Sequence, residues 1–321
     1  MPSQRGISIG GRGRFTYTSP IITKTKLQSL QSYHFLVAPL IKEPPQTPLP
    51  DPDQYPEWYG ETFLRYPLSR TLVPMHFGHL ANSKFRLAVI INSLVGHLFS
   101  PTGSTPPASQ TISEYLPKLT SWFTSLPKCL GPSEIVFPVQ LKLHLGYHNL
   151  ITNLCELHTD DSSEPIDEST LGTIRAHLSH SRVCFEALLR LYYLRHGFEY
   201  ADTYLTHELS VLGFRAFENC QNLTSTTDGV SVSPDELSDA RSTLILAAKG
   251  LNEQGLNYYA PFNILCVLVN QMDAYELDML RKCVSIRSED SLGNQFRTTH
   301  QGTVPVRDLE YDETPQKAAF G

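Results

Sequence analysis

The stretch at residues 120–157, TSWFTSLPKCLGPSEIVFPVQLKLHLGYHNLITNLCEL, decides the fold of this chain. It begins with the end of an amphipathic helix, which Leu126-Pro127 closes, and it continues through a connector rich in proline, glycine and serine. The apolar residues of the helix that follows lie almost all round it: Leu141, Leu143, Leu145, Tyr147, Leu150, Ile151 and Leu154. A helix that is apolar on nearly every side is buried. We therefore expect this helix at the centre of a helical domain, with the rest of the chain packed around it.

Helical periodicity recurs on both sides of this central helix. It predicts further helices over residues 82–99, 112–126, 173–196, 200–219, 234–251, 261–271 and 274–284. Asn82 or Ser83 can cap the first of these helices. Gly197 is a natural stop for the helix at 173–196, whose second half is apolar on two faces and should be buried. Residues 61–80 predict irregular backbone whose aromatic side chains, with Tyr59, dock on the core. The acidic stretch 159–172 and the Ser/Thr-rich stretch 222–234 predict loops. No run alternates with period two over a useful length, so we predict an all-α fold, an irregular multi-helix domain.

Composition divides the chain into three parts. Residues 1–47 predict a flexible extension, because the first 42 residues carry six basic residues and no acid and six prolines follow by residue 56. Patterns typical of an RG-rich nucleic-acid tail or a transit peptide are present there, but both are weak. Residues 48–287 form the predicted helical region. Residues 288–321 lack apolar periodicity and predict a disordered tail.

Charge and cysteine content limit the classes of function. The formal net charge is -6, which argues against a protein whose main surface binds duplex DNA. No apolar run is long enough for a bilayer span, so we expect no membrane partner. The six cysteines form no CxxC pair. Most of them lie in apolar helical patterns, for example Cys184 and Cys266, and they predict buried thiols in a reducing compartment, without a disulfide framework.

Two histidines of the central helix form the first candidate site. His144 and His148 are four residues apart, the spacing of metal ligands in an HExxH motif. The sequence here is HLGYH, which lacks the general-base glutamate of that motif, and only Glu156 lies near as a third ligand. We therefore predict two histidines hydrogen-bonded within a core, with no metal. The pair His180 and Cys184 has the same spacing and the same interpretation.

The second candidate is the acidic motif Asp160-Asp161-Ser162-Ser163-Glu164, which matches the DDxxE pattern of class I terpene synthases. In those enzymes the carboxylates hold magnesium and a diphosphate, and magnesium requires hard oxygen ligands on a rigid wall. Pro165 follows at once and serines separate the acids, which favours a solvated loop. A magnesium-dependent, terpene-synthase-like all-α enzyme is the alternative interpretation of the chain.

The same central stretch resembles the regulatory middle region of fungal binuclear zinc-cluster transcription factors, in the group similar to the nitrate-assimilation regulator. The matching residues are the Trp122…Leu126-Pro127 turn, the Pro132…Ile135-Val136…Pro138 connector and Leu143-His144…Tyr147-His148. Further matching blocks are Tyr55–Glu61, Arg65–Leu68, Arg182–Asp202 and Ala240–Gly255. The resemblance covers about residues 48–287 and implies the irregular helical regulatory fold of that family.

What the resemblance implies about function is regulation of transcription by RNA polymerase II in the nucleus, in nitrogen assimilation or secondary metabolism. The partners it implies are proteins of the transcription machinery or an intact family member, with a small-molecule effector as a further candidate. The family's six-cysteine zinc cluster and coiled coil have no counterpart in this chain. We therefore expect no cofactor, only indirect contact with DNA, and no enzymatic activity. A helical scaffold without regulatory output is a third alternative.

Overall fold

The computed structural model describes residues 49–65, 70–99, 106–160, 167–225 and 234–284. The predicted extension at 1–47 and tail at 288–321 lie outside the described residues. Within the described ranges, no helix combines the length and the apolar character that a bilayer span requires.

Helices make up most of the described chain, which confirms the predicted all-α fold. The elements, in chain order, are α1 (Pro56–Tyr59), β1 (Phe63–Arg65), β2 (Leu72–Pro74), α2 (Phe77–Leu98), α3 (Ala108–Thr124), a 3-10 turn (Lys128–Leu130), α4 (Pro138–Asp160), α5 (Glu168–His196), α6 (Thr203–Ser225), α7 (Pro234–Gln254), α8 (Tyr259–Val269) and α9 (Ala274–Cys283).

A small hairpin replaces the irregular backbone predicted before α2. Strands β1 and β2 pair antiparallel, with Leu64 opposite Val73. His76 then adopts a left-handed conformation, with φ of 53°, and turns the chain into α2 six residues before the predicted cap at Asn82. The predicted docking of aromatic residues is wrong for Phe63 and Phe77, because their side chains are 56 % and 47 % exposed.

Several other predicted boundaries shift in the structure. Helix α5 begins at Glu168, where the sequence predicted a loop, because the Asp167 carboxylate accepts the backbone N–H of Thr170 at 3.0 Å. Helix α4 runs to Asp160, and α6 continues to Ser225 through the first residues of the predicted linker. The stop predicted for α5 at Gly197 is confirmed, since this glycine has φ of 67°.

The chain divides into two compact units, one ending at Leu212 and the other beginning at Gly213. The predicted helical region at 48–287 therefore contains two units. In the second unit, α7 packs against α8 and α9. Gly213 lies in this packing, since a Cβ built there would lie 3.1 Å from Leu268 and 3.4 Å from Ala247. The cap of α9 is a capping box, in which Asp273 and Glu276 bind each other's backbone N–H groups.

The first unit is built around α4, as the sequence predicted. Between residues 140 and 155 no side chain of α4 is exposed, and only Lys142, Gly146 and Asn153 are half-buried. Helix α5 packs along α4, α3 packs on another side of it, and α2 packs on α3. The prediction that both apolar faces of α5 are buried is wrong, because Val183 and Leu194 are 66 % and 78 % exposed.

The buried side of α4 gives the first testable prediction. Leu145 is fully buried, so Leu145→Ala should lower the free energy of unfolding by about 2–5 kcal/mol through lost contacts and a residual cavity. Leu194→Ala removes the same atoms from an exposed site on α5, so it should change the free energy of unfolding by less than about 0.5 kcal/mol. Urea denaturation followed by circular dichroism measures both, and equal losses would contradict the assigned burial.

Candidate functional site

Three parts of the chain meet beside the start of α4. Arg195, in the last turn of α5, donates to the carbonyl oxygen of Ile135 at 3.0 Å, across 60 residues. Nε2 of His196 lies 3.1 Å from the carbonyl oxygen of Val136. The side-chain oxygen of Gln140 accepts the backbone N–H groups of Val136 and Phe137 at 2.9 and 3.1 Å. The connector before α4 is thus fixed by hydrogen bonds from α4 and from α5.

His144 lies on this side of α4 and is 1 % exposed. Its Nε2 is 2.8 Å from the carbonyl oxygen of Leu130, in the 3-10 turn. Because a carbonyl oxygen only accepts, Nε2 carries the proton and donates it. Burial lowers the pKa of His144, although the bond to Leu130 acts in the opposite direction. The imidazole is therefore a neutral packing residue that closes the connector onto α4.

His148 lies one turn further along α4 and is 5 % exposed. Its Nδ1 is 3.4 Å from the hydroxyl of Ser181 on α5. The ring of Phe123, on α3, meets both imidazoles edge-on, at 5.3 Å from His144 and 5.6 Å from His148, and stacks on Tyr147 at 4.2 Å. Burial lowers the pKa of His148 to about 3, with smaller contributions from the nearby histidines 144 and 180. The prediction of two hydrogen-bonded core histidines is confirmed.

The two histidines do not converge on a metal position. The ring nitrogen of His144 binds Leu130, and the third ligand considered from the sequence, Glu156, is 2.8 Å from Arg182 of α5 in an ion pair. No group of three His, Cys, Asp or Glu residues in the described part of the chain is placed to hold a metal ion. The geometry of this cluster supports packing.

His180 and Cys184 are brought into contact on α5, with Nε2 3.5 Å from Sγ. The rings of His180 and His148 are 6.1 Å apart, so the two histidine pairs of the sequence are neighbours in space. Burial raises the pKa of the Cys184 thiol, which disfavours the thiolate that a nucleophile or metal ligand requires. Burial raises the pKa of Cys155 to about 11, with the same consequence.

The buried cysteines predicted from the sequence are confirmed only in part. Cys155 and Cys220 are buried, whereas Cys184 and Cys266, the two examples taken from apolar helical patterns, are only half-buried. Helix α5 leaves one of its apolar sides exposed, so an apolar pattern around Cys184 does not guarantee burial.

Gly146 has a structural role that the sequence did not reveal. A Cβ built on it would lie 2.6 Å from the hydroxyl oxygen of Tyr204, at the start of α6. That hydroxyl donates to the carbonyl oxygen of Lys142, one turn earlier in α4, at 3.2 Å. The ammonium group of Lys142 in turn pairs with the carboxylate of Asp202, which also accepts the backbone N–H of Tyr204. The glycine allows the start of α6 to lie directly on α4.

The acidic motif Asp160-Asp161-Ser162-Ser163-Glu164 cannot be placed as a site. Asp160 is the last residue of α4, and residues 161–164 lie outside the described residues. The magnesium-dependent alternative gains no support from the geometry of the described chain.

Comparison of the chain with protein families, with curated proteins and with solved structures finds no match. The resemblance to fungal zinc-cluster regulators stays a prediction from the quoted residues.

The site generates a prediction about pH. The pKa of His148 is about 3 in the folded protein, against an ordinary value of 6.5. Below pH 6.5 the unfolded chain binds a proton that the folded protein does not bind, so the free energy of unfolding falls as the pH drops towards 3. Between pH 6.5 and pH 3, protonation of this histidine in the unfolded chain should lower the folding equilibrium constant by up to about tenfold for each pH unit. In His148→Gln, urea denaturation between pH 7 and pH 4 should show a shallower pH dependence. Parallel profiles for the two proteins would contradict the assignment.

The contact of Gly146 with Tyr204 generates another prediction. Replacing a helical glycine by alanine usually stabilises a helix by about 1 kcal/mol. In Gly146→Ala the methyl group should displace the Tyr204 hydroxyl, so this gain should be absent or reversed. In the Tyr204→Phe background the hydroxyl is gone, and Gly146→Ala should be stabilising. The four free energies of unfolding form a double-mutant cycle, and a coupling energy near zero would contradict the contact.

Proposed function

We propose that this chain is the all-helical regulatory region of a fungal transcription regulator, similar to the nitrate-assimilation group of zinc-cluster factors. It acts in the nucleus through protein contacts, with the transcription machinery or an intact family member as partner. It contacts DNA only indirectly, and it is not an enzyme. A small-molecule effector is part of the proposal as a regulatory input.

The observation that carries this proposal is that the resembling blocks of the first unit, which are separated in sequence, pack against one another. The ring of Trp122, from the first block, lies 5.7 Å from the ring of Tyr147 in α4. The connector block is bound by two residues of the block at 182–202, because Arg195 lies on the carbonyl oxygen of Ile135 and His196 on that of Val136. Residues that carry the resemblance therefore contact one another, which supports treating them as parts of one regulatory domain.

The block at 55–61 is joined to the same unit. The hydroxyl of Tyr59 donates to the carbonyl oxygen of Pro50 at 2.6 Å. A Cβ on Gly78, in the first turn of α2, would lie 2.9 Å from the Tyr59 ring, so this glycine is where α1 and α2 come into contact. The block thus packs on α2, which supports including it in the regulatory domain.

A reporter experiment tests the proposal. The chain is fused to a foreign DNA-binding domain and expressed in a fungal host that carries the matching reporter gene. We expect the fusion to change reporter expression by at least about threefold relative to the DNA-binding domain alone. The matched control is the same fusion with Leu145→Asp, which places a charge in the core of the first unit and should abolish the effect at equal expression.

Two outcomes would contradict the proposal. An unchanged reporter with a well-expressed, folded fusion would favour a helical scaffold without regulatory output. Turnover of prenyl diphosphates with magnesium, abolished by Asp161→Ala, would favour the enzyme.

A further inference from the structure

Helices α2 and α3 enclose a groove on the surface of the first unit. The two helices run antiparallel, since Ser83 contacts Trp122 near one end of the pair and Ser93 contacts Tyr115 towards the other. The groove has a volume of about 600 Å³ and is open to solvent. Its lining residues come from one face of each helix: Phe85, Arg86, Val89, Ile90, Pro117, Lys118, Ser121 and Trp122.

The floor of this α2–α3 groove is apolar. Phe85 and Trp122 are 7 % and 3 % exposed, and the indole N–H of Trp122 donates to the carbonyl oxygen of Ser83 at 3.1 Å. Val89 and Ile90 are half-buried beside them. One side of each of these side chains packs against the protein core. The other side faces the groove, so that together they form an apolar strip there. Such a strip is suited to the apolar face of a partner.

The rim of the groove is basic. Arg86 and Lys118 are both exposed, one on each helix. Arg86 donates to the hydroxyl of Ser125 at 3.1 Å, and Lys118 pairs with Glu114 at 2.7 Å. The ammonium group of Lys118 also lies 4.4 Å from the centre of the Tyr115 ring. Both cations are thus positioned by neighbouring side chains while their surfaces face solvent.

The charge of the helix pair is opposite to the charge of the whole chain. Helices α2 and α3 contain Lys84, Arg86 and Lys118 but only one acid, Glu114, which gives +3 and -1, a net +2. The whole chain carries a formal net charge of -6. A local excess of positive charge around an apolar strip selects an acidic partner, because complementary charges steer association and disfavour basic surfaces.

We propose that the α2–α3 groove binds an acidic amphipathic helix of a partner protein. The apolar face of that helix lies on Phe85, Val89, Ile90 and Trp122, and its carboxylates lie against Arg86 and Lys118. A small ligand would be left largely uncovered in so open a site, whereas small-molecule sites bury most of the ligand. A phosphate backbone would leave the apolar floor uncovered. The binding is independent of the regulatory proposal, since it is measured on the purified chain.

The test uses the purified chain and a synthetic acidic helix, EELADLFEELLADLE, labelled with fluorescein. Fluorescence anisotropy should give saturable binding with a Kd in the micromolar range. Raising the salt concentration from about 50 to 300 mM should weaken it several-fold, because the cations on the rim are exposed. A peptide of the same composition, scrambled so that its leucines no longer share a face, should bind at least about tenfold more weakly.

Charge-reversal variants locate the binding. Arg86→Glu with Lys118→Glu should weaken binding at least about tenfold. The control, Arg175→Glu with Lys282→Glu, makes the same change in net charge at exposed side chains that do not line the groove and should alter binding less than about twofold. Circular dichroism and thermal melting check that each variant is folded. Val89→Asp, which changes only the floor, should abolish binding in a folded protein.

Trp122 provides a second readout. The chain has two tryptophans, so in Trp58→Phe the emission comes from the groove floor alone. A spectral shift on adding the unlabelled peptide supports the assignment.

Several results would overturn the assignment. Equal binding by the groove variants, or an equal loss in the control, would show that the peptide binds elsewhere. Dodecanoate or a duplex DNA that competes as well as the peptide would assign the groove to a lipid-like anion or to nucleic acid. A dimer of the wild-type chain that Arg86→Glu with Lys118→Glu abolishes, measured by sedimentation, would assign the groove to a second copy.

Discussion

Helix α4 has no exposed side chain between residues 140 and 155, and the packing of the first unit follows from that constraint. A helix surrounded by protein must find internal partners for every polar side chain it carries, because an unpaired buried polar group costs about 1–3 kcal/mol. Gln140 caps the connector backbone, His144 donates to Leu130, and Thr152 donates to the carbonyl oxygen of His148 at 2.8 Å. These bonds fix how the connector and the neighbouring helices can approach α4. The polar residues thus determine the arrangement, while the leucines supply most of the stability.

The histidines show how the same spacing serves different purposes. A separation of four residues places two imidazoles on one side of a helix, which is what a metal site requires and also what a layer of aromatic side chains can use. In this protein the layer contains Phe123 and Tyr147, and burial keeps both imidazoles neutral. The glycine between the histidines is explained by the hydroxyl of Tyr204, which occupies the space a side chain would fill. Motif spacing alone could not distinguish these cases, because the deciding partners come from α3, α5 and α6.

Regulation through protein contacts requires surfaces that differ from the rest of the molecule. The α2–α3 groove combines an apolar floor with two cations on its rim, within a chain that is acidic as a whole. Pro117 lines this groove in the middle of α3, where it cannot donate a backbone hydrogen bond. The groove adjoins the packed histidine layer, since Trp122 of its floor lies 5.7 Å from Tyr147 of α4.

The sequence by itself determined the all-α class, the order of the helices and the burial of α4, because a local 3.6-residue pattern of apolar side chains carries that information. It also predicted the glycine stop of α5 and the buried, hydrogen-bonded histidines. It missed the short hairpin, whose strands are three residues each and too short to show an alternating pattern. It could not decide which apolar face of α5 is covered, since Val183 and Phe185 look equally apolar in the sequence. Only the tertiary structure placed Arg195 on Ile135, Tyr204 over Gly146 and the two cations beside the α2–α3 groove, because these contacts join residues 32 to 60 positions apart that no local periodicity relates.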